Sequence, residues 1–227
     1  MIRIRGGLVE IQSFWLRMIF DLQFRSIVMQ LRKRISARRI TKLLDVGSGS
    51  RPYRKLFGAI SYLTVDPHVE SDYSHLEEIE SHHQFDTILL LETLEHVRLP
   101  RQLLASLSKY LSEGGEVWIS VPFSARVHDA PQDYWRWTPA GLKELICESG
   151  FQLDSIEVRG SDCASLCAKL CFAWFRWLRH PLTALPALVI APIWLPSLLI
   201  LGHASLTLGL GYREDPLGYF AVVKPKG

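Results

Sequence analysis

The stretch Leu43-Leu44-Asp45-Val46-Gly47-Ser48-Gly49-Ser50 sets the tightest limit on what this chain can fold into. A short apolar run ends in an acid and passes, one residue later, to two glycines separated by a single serine. A continuous apolar run of this length reads as a buried strand. Glycine directly after it lets the backbone turn sharply and approach a ligand with no Cβ in the way. Such a turn belongs to open α/β sheets, where ligands sit beyond the carboxyl ends of the strands.

The surrounding sequence fits that class. Strands are predicted at Lys42–Val46, Tyr62–Val65, Thr87–Leu91, Glu116–Val121, Gln152–Val158 and Tyr219–Val223. Helical stretches fall between them at Pro52–Phe57, Arg101–Ser112 and Pro139–Ser149. Thr138 and Pro139 form a good helix start, and Gly114-Gly115 is read as ending the middle helix. Strands alternating with helices imply βαβ units and a parallel sheet.

The turn's ligand can be narrowed. Asp66 ends the second strand, where a carboxylate can accept both hydroxyls of a ribose. The dinucleotide fingerprint requires glycine at the position of Pro52, and no P-loop Lys-Ser/Thr follows. A ligand with a ribose and no phosphate is favoured over NAD, so a nicotinamide oxidoreductase is disfavoured.

Read in series, LLDVGSGSRPYRKLF, YLTVDPH, FDTILLLETLEHV, LSEGGEVWISVPF and PQDYWRWTPAGLKELICESGF cover about residues 40–160. In order and spacing they resemble the class I S-adenosylmethionine-dependent methyltransferases, in particular the type 11 branch. The resemblance implies a Rossmann-like α/β fold: a seven-stranded sheet with helices on both faces, the sixth strand parallel and the seventh antiparallel. It implies S-adenosyl-L-methionine as cofactor. Asp45, Gly47, Ser48 and Gly49 would hold its methionine part, Asp66 and Pro67 its ribose. Asp72 would lie by the adenine, and Leu91 and Glu92 on the cofactor floor. Only about twenty residues separate Asp66 from Asp86, so the helix and third strand expected there must be abbreviated. His128 and His96 are the candidate general bases, and Tyr134 and Arg136 the candidate substrate contacts.

Elsewhere the sequence is lopsided. Residues 8–35 place apolar side chains at helical spacing among arginines, and up to Lys42 there are ten Lys/Arg against two acids. From Leu182 to Leu210 there is no Asp, Glu, Lys or Arg. Such a run exceeds the roughly 20 residues needed to cross a bilayer. Pro186, Pro192 and Pro196 interrupt it, which predicts two arms turning near Pro192–Ser197. Three segments follow: a basic amphipathic helical segment (1–39), the methyltransferase domain (40–160 and 215–227), and a hydrophobic helical insert between the last two strands (161–214). An insert rooted at both ends in one domain cannot cross a bilayer an odd number of times. It leaves and re-enters at the ligand-binding edge of the sheet, and 163–211 is expected to lie in a membrane surface, with the basic N-terminal helix adding contacts to anionic lipid.

Cys163, Cys167 and Cys171 recur every four residues, which is neither zinc nor iron–sulfur spacing; they are read as small apolar helix residues, and no metal is expected. No basic groove studded with aromatics argues for nucleic acid. The N-terminal residues carry no apolar core of signal-peptide length, which points to the cytoplasm. The expected function is methyl transfer to a small-molecule or lipid-linked acceptor, a glycan, quinone precursor or other lipid, at the cytoplasmic membrane face. The alternative is a non-catalytic, membrane-associated scaffold or cofactor-binding module with the same fold; intact Asp45, Gly47, Gly49 and Asp66 argue against it.

Overall fold

The computed structural model describes residues 2–5, 8–11, 13–80 and 82–226. The strands are β1 (Ile2–Arg5), β2 (Leu8–Ile11), β3 (Lys42–Val46), β4 (Ser61–Val65), β5 (Phe85–Leu91), β6 (Leu111–Pro122), β7 (Phe151–Arg159) and β8 (Gly218–Pro225). The α-helices are α1 (Phe14–Phe20), α2 (Leu22–Ala37), α3 (Pro100–Ser106), α4 (Pro139–Glu148), α5 (Asp162–Trp177) and α6 (Ala184–Leu208). Two compact units are present: Gln30–Phe123, Val127–Glu157 and Tyr219–Gly227 form one, and Met1–Met29, Ser124–Arg126 and Val158–Gly218 the other. The outermost positions of the expected segments, 1 and 227, lie outside the described residues.

The first unit is built on a six-stranded sheet of order β4-β3-β5-β6-β8-β7. β3 lies between β4 and β5 and is parallel to both, with Leu44 opposite Leu63 on one side and Ile88 on the other. Leu43, Leu44, Ile88, Leu89 and Leu90 are fully buried, which is why these strands read as unbroken apolar runs rather than alternating ones. The chain leaves β3 for β4 on one side and returns to β5 on the other. That reversal opens a crevice at the carboxyl end of β3. Lys226, just past β8, donates its backbone N–H to the Gly150 carbonyl just before β7, so β8 runs antiparallel to β7.

The sheet has six strands where seven were expected. Between β4 and β5 the missing strand is reduced, among the described residues, to one parallel bridge, Val65 to Tyr73, and a 3-10 turn over Leu76–Glu78. Each parallel crossover takes about a dozen residues, and two of them plus a strand do not fit in twenty. The helix expected at Pro52–Phe57 is a single 3-10 turn, Arg54–Leu56. The middle helix stops at Ser106 and tightens into a 3-10 turn over Leu107–Tyr110. Gly114 and Gly115 lie inside β6 instead of ending a helix. Gly114 has φ +69°, a Cβ on Gly115 would meet the Ser112 carbonyl at 2.8 Å, and the register against β5 shifts between Phe85 and Thr87. The pair therefore forms an irregular bend in the strand.

The second unit holds the hydrophobic insert together with the N-terminal residues. The helix expected from Leu8 starts only at Phe14, capped by Ser13; before it β1 and β2 pair antiparallel, Ile2 opposite Ile11 and Arg5 opposite Leu8. Ile2–Arg5 alternates apolar and charged residues with a period of two, which draws Leu8–Ile11 into a strand although Leu8 and Ile11 also fit a helical spacing. Asp21 breaks the next stretch: its N–H donates to Arg17 as α1 ends, and its carboxylate accepts the Phe24 N–H as α2 begins.

The insert is a helical hairpin whose turn lies at 178–183, not at Pro192–Ser197. Ser161 at the start of α5 meets Ser205 near the end of α6 at 2.7 Å, and Trp174 Nε1 near the end of α5 donates to the Ala187 carbonyl of α6. α6 continues through Pro192 and Pro196. Each proline removes a ladder hydrogen bond; Trp194, Leu195, Leu198 and Leu199, packed with Cys163, Cys167, Cys171 and Leu22, carry the helix across the gap. The cysteines are free and serve as apolar packing, as their spacing suggested. Gly209, left-handed at φ +69°, closes α6.

Candidate active site

The sheet's switch point carries the glycine turn. Asp45, at the end of β3, is buried and accepts a hydrogen bond from the Tyr62 hydroxyl at 2.5 Å. Burial pushes its carboxyl up to about 6 despite that hydrogen bond, and the half-buried Tyr62 phenol beside it is raised as well. Gly47 is held at φ +73°, its N–H bonded to the Val65 carbonyl at 2.8 Å. A Cβ there would fall 2.6 Å from Thr93 Oγ1, which itself donates to the Val46 carbonyl. Thr93, unmarked in the sequence, thus locks the turn from the end of β5.

Gly49 differs in kind. It has φ +50°, yet a Cβ added to it meets nothing within 4 Å. Its N–H donates to Asp66 Oδ2 at 2.9 Å, while Asp66 Oδ1 accepts the His68 N–H at 2.9 Å, which fixes the carboxylate at the mouth of the turn. Exposed Pro67 continues that loop. Ser48 is buried, and its hydroxyl has no partner among the described residues. Buried hydroxyls in proteins are nearly always bonded, so the orphan fits a loop that wraps a polar ligand.

Asp72 is anchored to the second strand of the sheet's switch point. Its carboxylate accepts the N–H and hydroxyl of Thr64 at 2.9 and 2.6 Å, so it ties the 67–72 loop to β4. Leu91 is buried at the end of β5. Glu92 stands at φ +54°, an uncommon conformation for a residue with a side chain, secured by Ser120 through both its N–H and its carboxylate.

A second group follows directly. Glu95 and His96 sit in the 3-10 turn after β5, and His128 in the loop after β6. The rings of His96 and His128 meet edge to face at 4.9 Å. The His96 Nδ1–H donates to the Gln132 carbonyl at 2.8 Å, and the Tyr134 N–H to the Glu95 carbonyl at 2.8 Å. Asp133 accepts the His128 backbone N–H at 2.9 Å, and its Oδ2 lies 3.4 Å from His128 Nδ1. Arg136 grips the same carboxylate with both terminal nitrogens, at 2.6 and 2.8 Å, and its hydrogen bonds hold Asp133 down to about 2. The sequence-based candidates His96, His128, Tyr134 and Arg136 therefore converge, but Arg136 spends its guanidinium on Asp133 and the Trp135 carbonyl. Tyr134 is exposed. Trp137 is buried, and Trp135 anchors to the Val97 carbonyl through its Nε1–H. Glu95 and Asp133 gave no sequence signal, because an isolated acid in a loop reads as solvated.

Against known proteins, a family model for a methyltransferase domain matches residues 20–158, more than half of the chain. The chain belongs to the class I S-adenosylmethionine-dependent methyltransferases. Among solved structures, this methyltransferase is similar to an O-methyltransferase from a trans-AT polyketide synthase of Brevibacillus brevis, crystallised with S-adenosyl-L-homocysteine. The identity is 16%, the TM-score 0.53, and 98% of this chain and 82% of that one are covered. It is also similar to the Burkholderia thailandensis 1,6-didemethyltoxoflavin-N1-methyltransferase, at 15% identity and TM-score 0.51, covering 100% and 95%. A [4+2]-cyclase, SpnF, shares the fold at 16% identity and TM-score 0.53, covering 90% and 82%. Among curated proteins, 53 residues are 40% identical to a mitochondrial ubiquinone biosynthesis O-methyltransferase of Dictyostelium discoideum; the match spans 23% of this chain and 16% of that protein.

Proposed function

We propose that this methyltransferase modifies an amphipathic or lipid-linked acceptor, a glycan, a quinone precursor or another lipid, at the cytoplasmic face of a membrane. The observation that carries the reading is α6: 25 residues, long and apolar enough to cross a bilayer, with few of its side chains buried. So much exposed apolar surface marks an interaction site, and a membrane puts a lipid-linked acceptor within reach. The short match to a ubiquinone biosynthesis O-methyltransferase adds weight to a quinone precursor.

S-adenosylmethionine supplies an electrophilic methyl on a sulfonium. In this reading Asp45 receives the ammonium of its methionine part, Gly47, Ser48 and Gly49 pass beneath it, and Asp66 with Pro67 takes the ribose. Leu91 and Glu92 form the floor. What remains for the protein is to align the acceptor and take its proton. Exposed Tyr134 is the acceptor contact, and the His96–His128 pair is the proton-accepting group.

The test supplies methyl-labelled S-adenosylmethionine to the purified chain with membrane extract, then separates lipid from aqueous products, with Asp66→Ala as control. Label in the lipid fraction, lost in the variant, is expected. Label confined to water-soluble products would overturn the lipid-linked acceptor and leave the methyl transfer standing.

A further inference from the structure

We infer that Glu95, His96 and His128 form a binding site for one divalent transition-metal cation. The three residues each present a ligand atom, and these atoms lie within 4.8 Å of one another. His96 Nε2 is 3.8 Å from Glu95 Oε1. Ligands bound at about 2.0–2.2 Å to one tetrahedral ion stand roughly 3.5 Å apart, so contraction by about an ångström completes the set. Two imidazoles and a carboxylate suit zinc, cobalt or manganese rather than calcium or magnesium.

Three further features favour an ion. Both histidines are pinned through a second contact: His96 Nδ1 donates to the Gln132 carbonyl at 2.8 Å, and His128 Nδ1 lies 3.4 Å from Asp133, whose carboxylate Arg136 holds. Metal-binding histidines are oriented by such carbonyl and carboxylate partners. The charge balance is the second feature. Glu92, Glu95 and Asp133 all act on Arg136, three carboxylates around one guanidinium. A divalent cation would cancel that excess. Third, Glu95 is fully buried while the histidine side chains are each 25% exposed, so the site has an inner anchor and an open side. The sequence hides it, because His128 is 32 positions from His96 and neither falls in a recognised metal spacing.

A metal changes the role of the histidines under the reading above. An acceptor hydroxyl bound to the ion would lose its proton to water at a lowered pKa, with His96 and His128 as ligands instead of bases. Binding itself requires neither acceptor nor cofactor, so its failure would leave methyl transfer untouched.

The test titrates the purified full chain with Co2+ and follows its ligand-field absorption, with S-adenosylhomocysteine binding measured on the same samples. One saturable equivalent, displaced by Zn2+, is expected. His96→Gln and His128→Gln should each abolish it, and Asp133→Asn should weaken it about 10- to 100-fold. The Glu80, His82 and His83 group, its first two members exposed, is an internal comparator; replacing both of its histidines with glutamine should leave the bound equivalent in place. No saturable binding, or binding lost only in the His82/His83 variant, overturns the site. Should the His96 and His128 variants also lose S-adenosylhomocysteine, the wild-type chain decides alone. Zn2+ must then protect His96 and His128, and not His82 and His83, from ethoxycarbonylation mapped by mass spectrometry; the opposite pattern refutes the site.

Discussion

Two glycines in one turn are required for different reasons, and that difference can be measured. At Gly47 a side chain collides with Thr93 besides meeting an unfavourable φ, whereas at Gly49 only the φ of +50° objects. A left-handed residue costs roughly 1–2 kcal/mol. Gly49→Ala should therefore weaken S-adenosylhomocysteine binding about 5- to 30-fold, while Gly47→Ala, which must displace Thr93, should abolish it in calorimetry. Asp45 gives a pH test. Its carboxyl is raised to about 6 in the folded chain, so the native state holds this proton more tightly than the unfolded state. The contribution to stability is complete below about pH 4 and is lost as pH rises through 6, a difference on the order of 3 kcal/mol. Asp45→Asn should then raise the unfolding midpoint at pH 8 and leave it unchanged near pH 4. In its proposed role beside an ammonium, Asp45 must ionise, and cofactor affinity should fall about tenfold per pH unit below 6.

At the level of elements, the sequence spoke clearly wherever one period dominated. β3 matched its predicted limits because a buried central strand is an uninterrupted apolar run, and α4 began at Thr138-Pro139 because cap and proline are local signals. It misled where two physical rules competed. Leu8 and Ile11 sit at helical spacing, yet Leu8–Ile11 pairs as a strand with the alternating Ile2–Arg5, and Gly114-Gly115 was equally suited to a helix end and a strand bend. Proline predicted a break in α6 from local chemistry alone, and packing on α5 overrode it. The glycine turn and Asp66 were legible because their chemistry is local; Thr93, Glu95 and Asp133 were not, since only the fold brings them to the site. The override in α6 depends on close approach. A Cβ on Gly202 would fall 2.5 Å from Leu22 Cδ1 and 3.2 Å from Cys167 Cβ. Gly202→Val should pry α6 from α5 and α2, costing about 1–3 kcal/mol, seen as faster amide exchange along α6.

For the whole molecule, the question is whether charge or apolar surface would bring it to a membrane. The basic N-terminal segment invites an electrostatic answer, but much of its charge is engaged within the protein. Lys33 and Arg34 pair with Glu157, Arg38 with Glu116, and Arg17 with Asp21. Apolar surface is the larger resource: Leu188, Val189, Ile193 and Ile200 stand exposed along α6, and Trp15 is 70% exposed on α1. His203 of α6 meets the Ile19 carbonyl of α1 at 2.8 Å, so these side chains belong to one unit. Burying apolar area in lipid is nearly indifferent to salt, whereas adsorption through lysine and arginine weakens steeply as the Debye length shrinks. Flotation with anionic liposomes should therefore change little between low and high salt. Leu188→Asp together with Ile193→Asp should reduce it at least tenfold, since an aspartate in hydrocarbon costs about 2.5–3.5 kcal/mol. If flotation instead collapsed with salt and ignored the aspartates, charge would be the anchor. If the aspartates left flotation intact but split a dimer into monomers, α6 would be an interface between two copies of the chain.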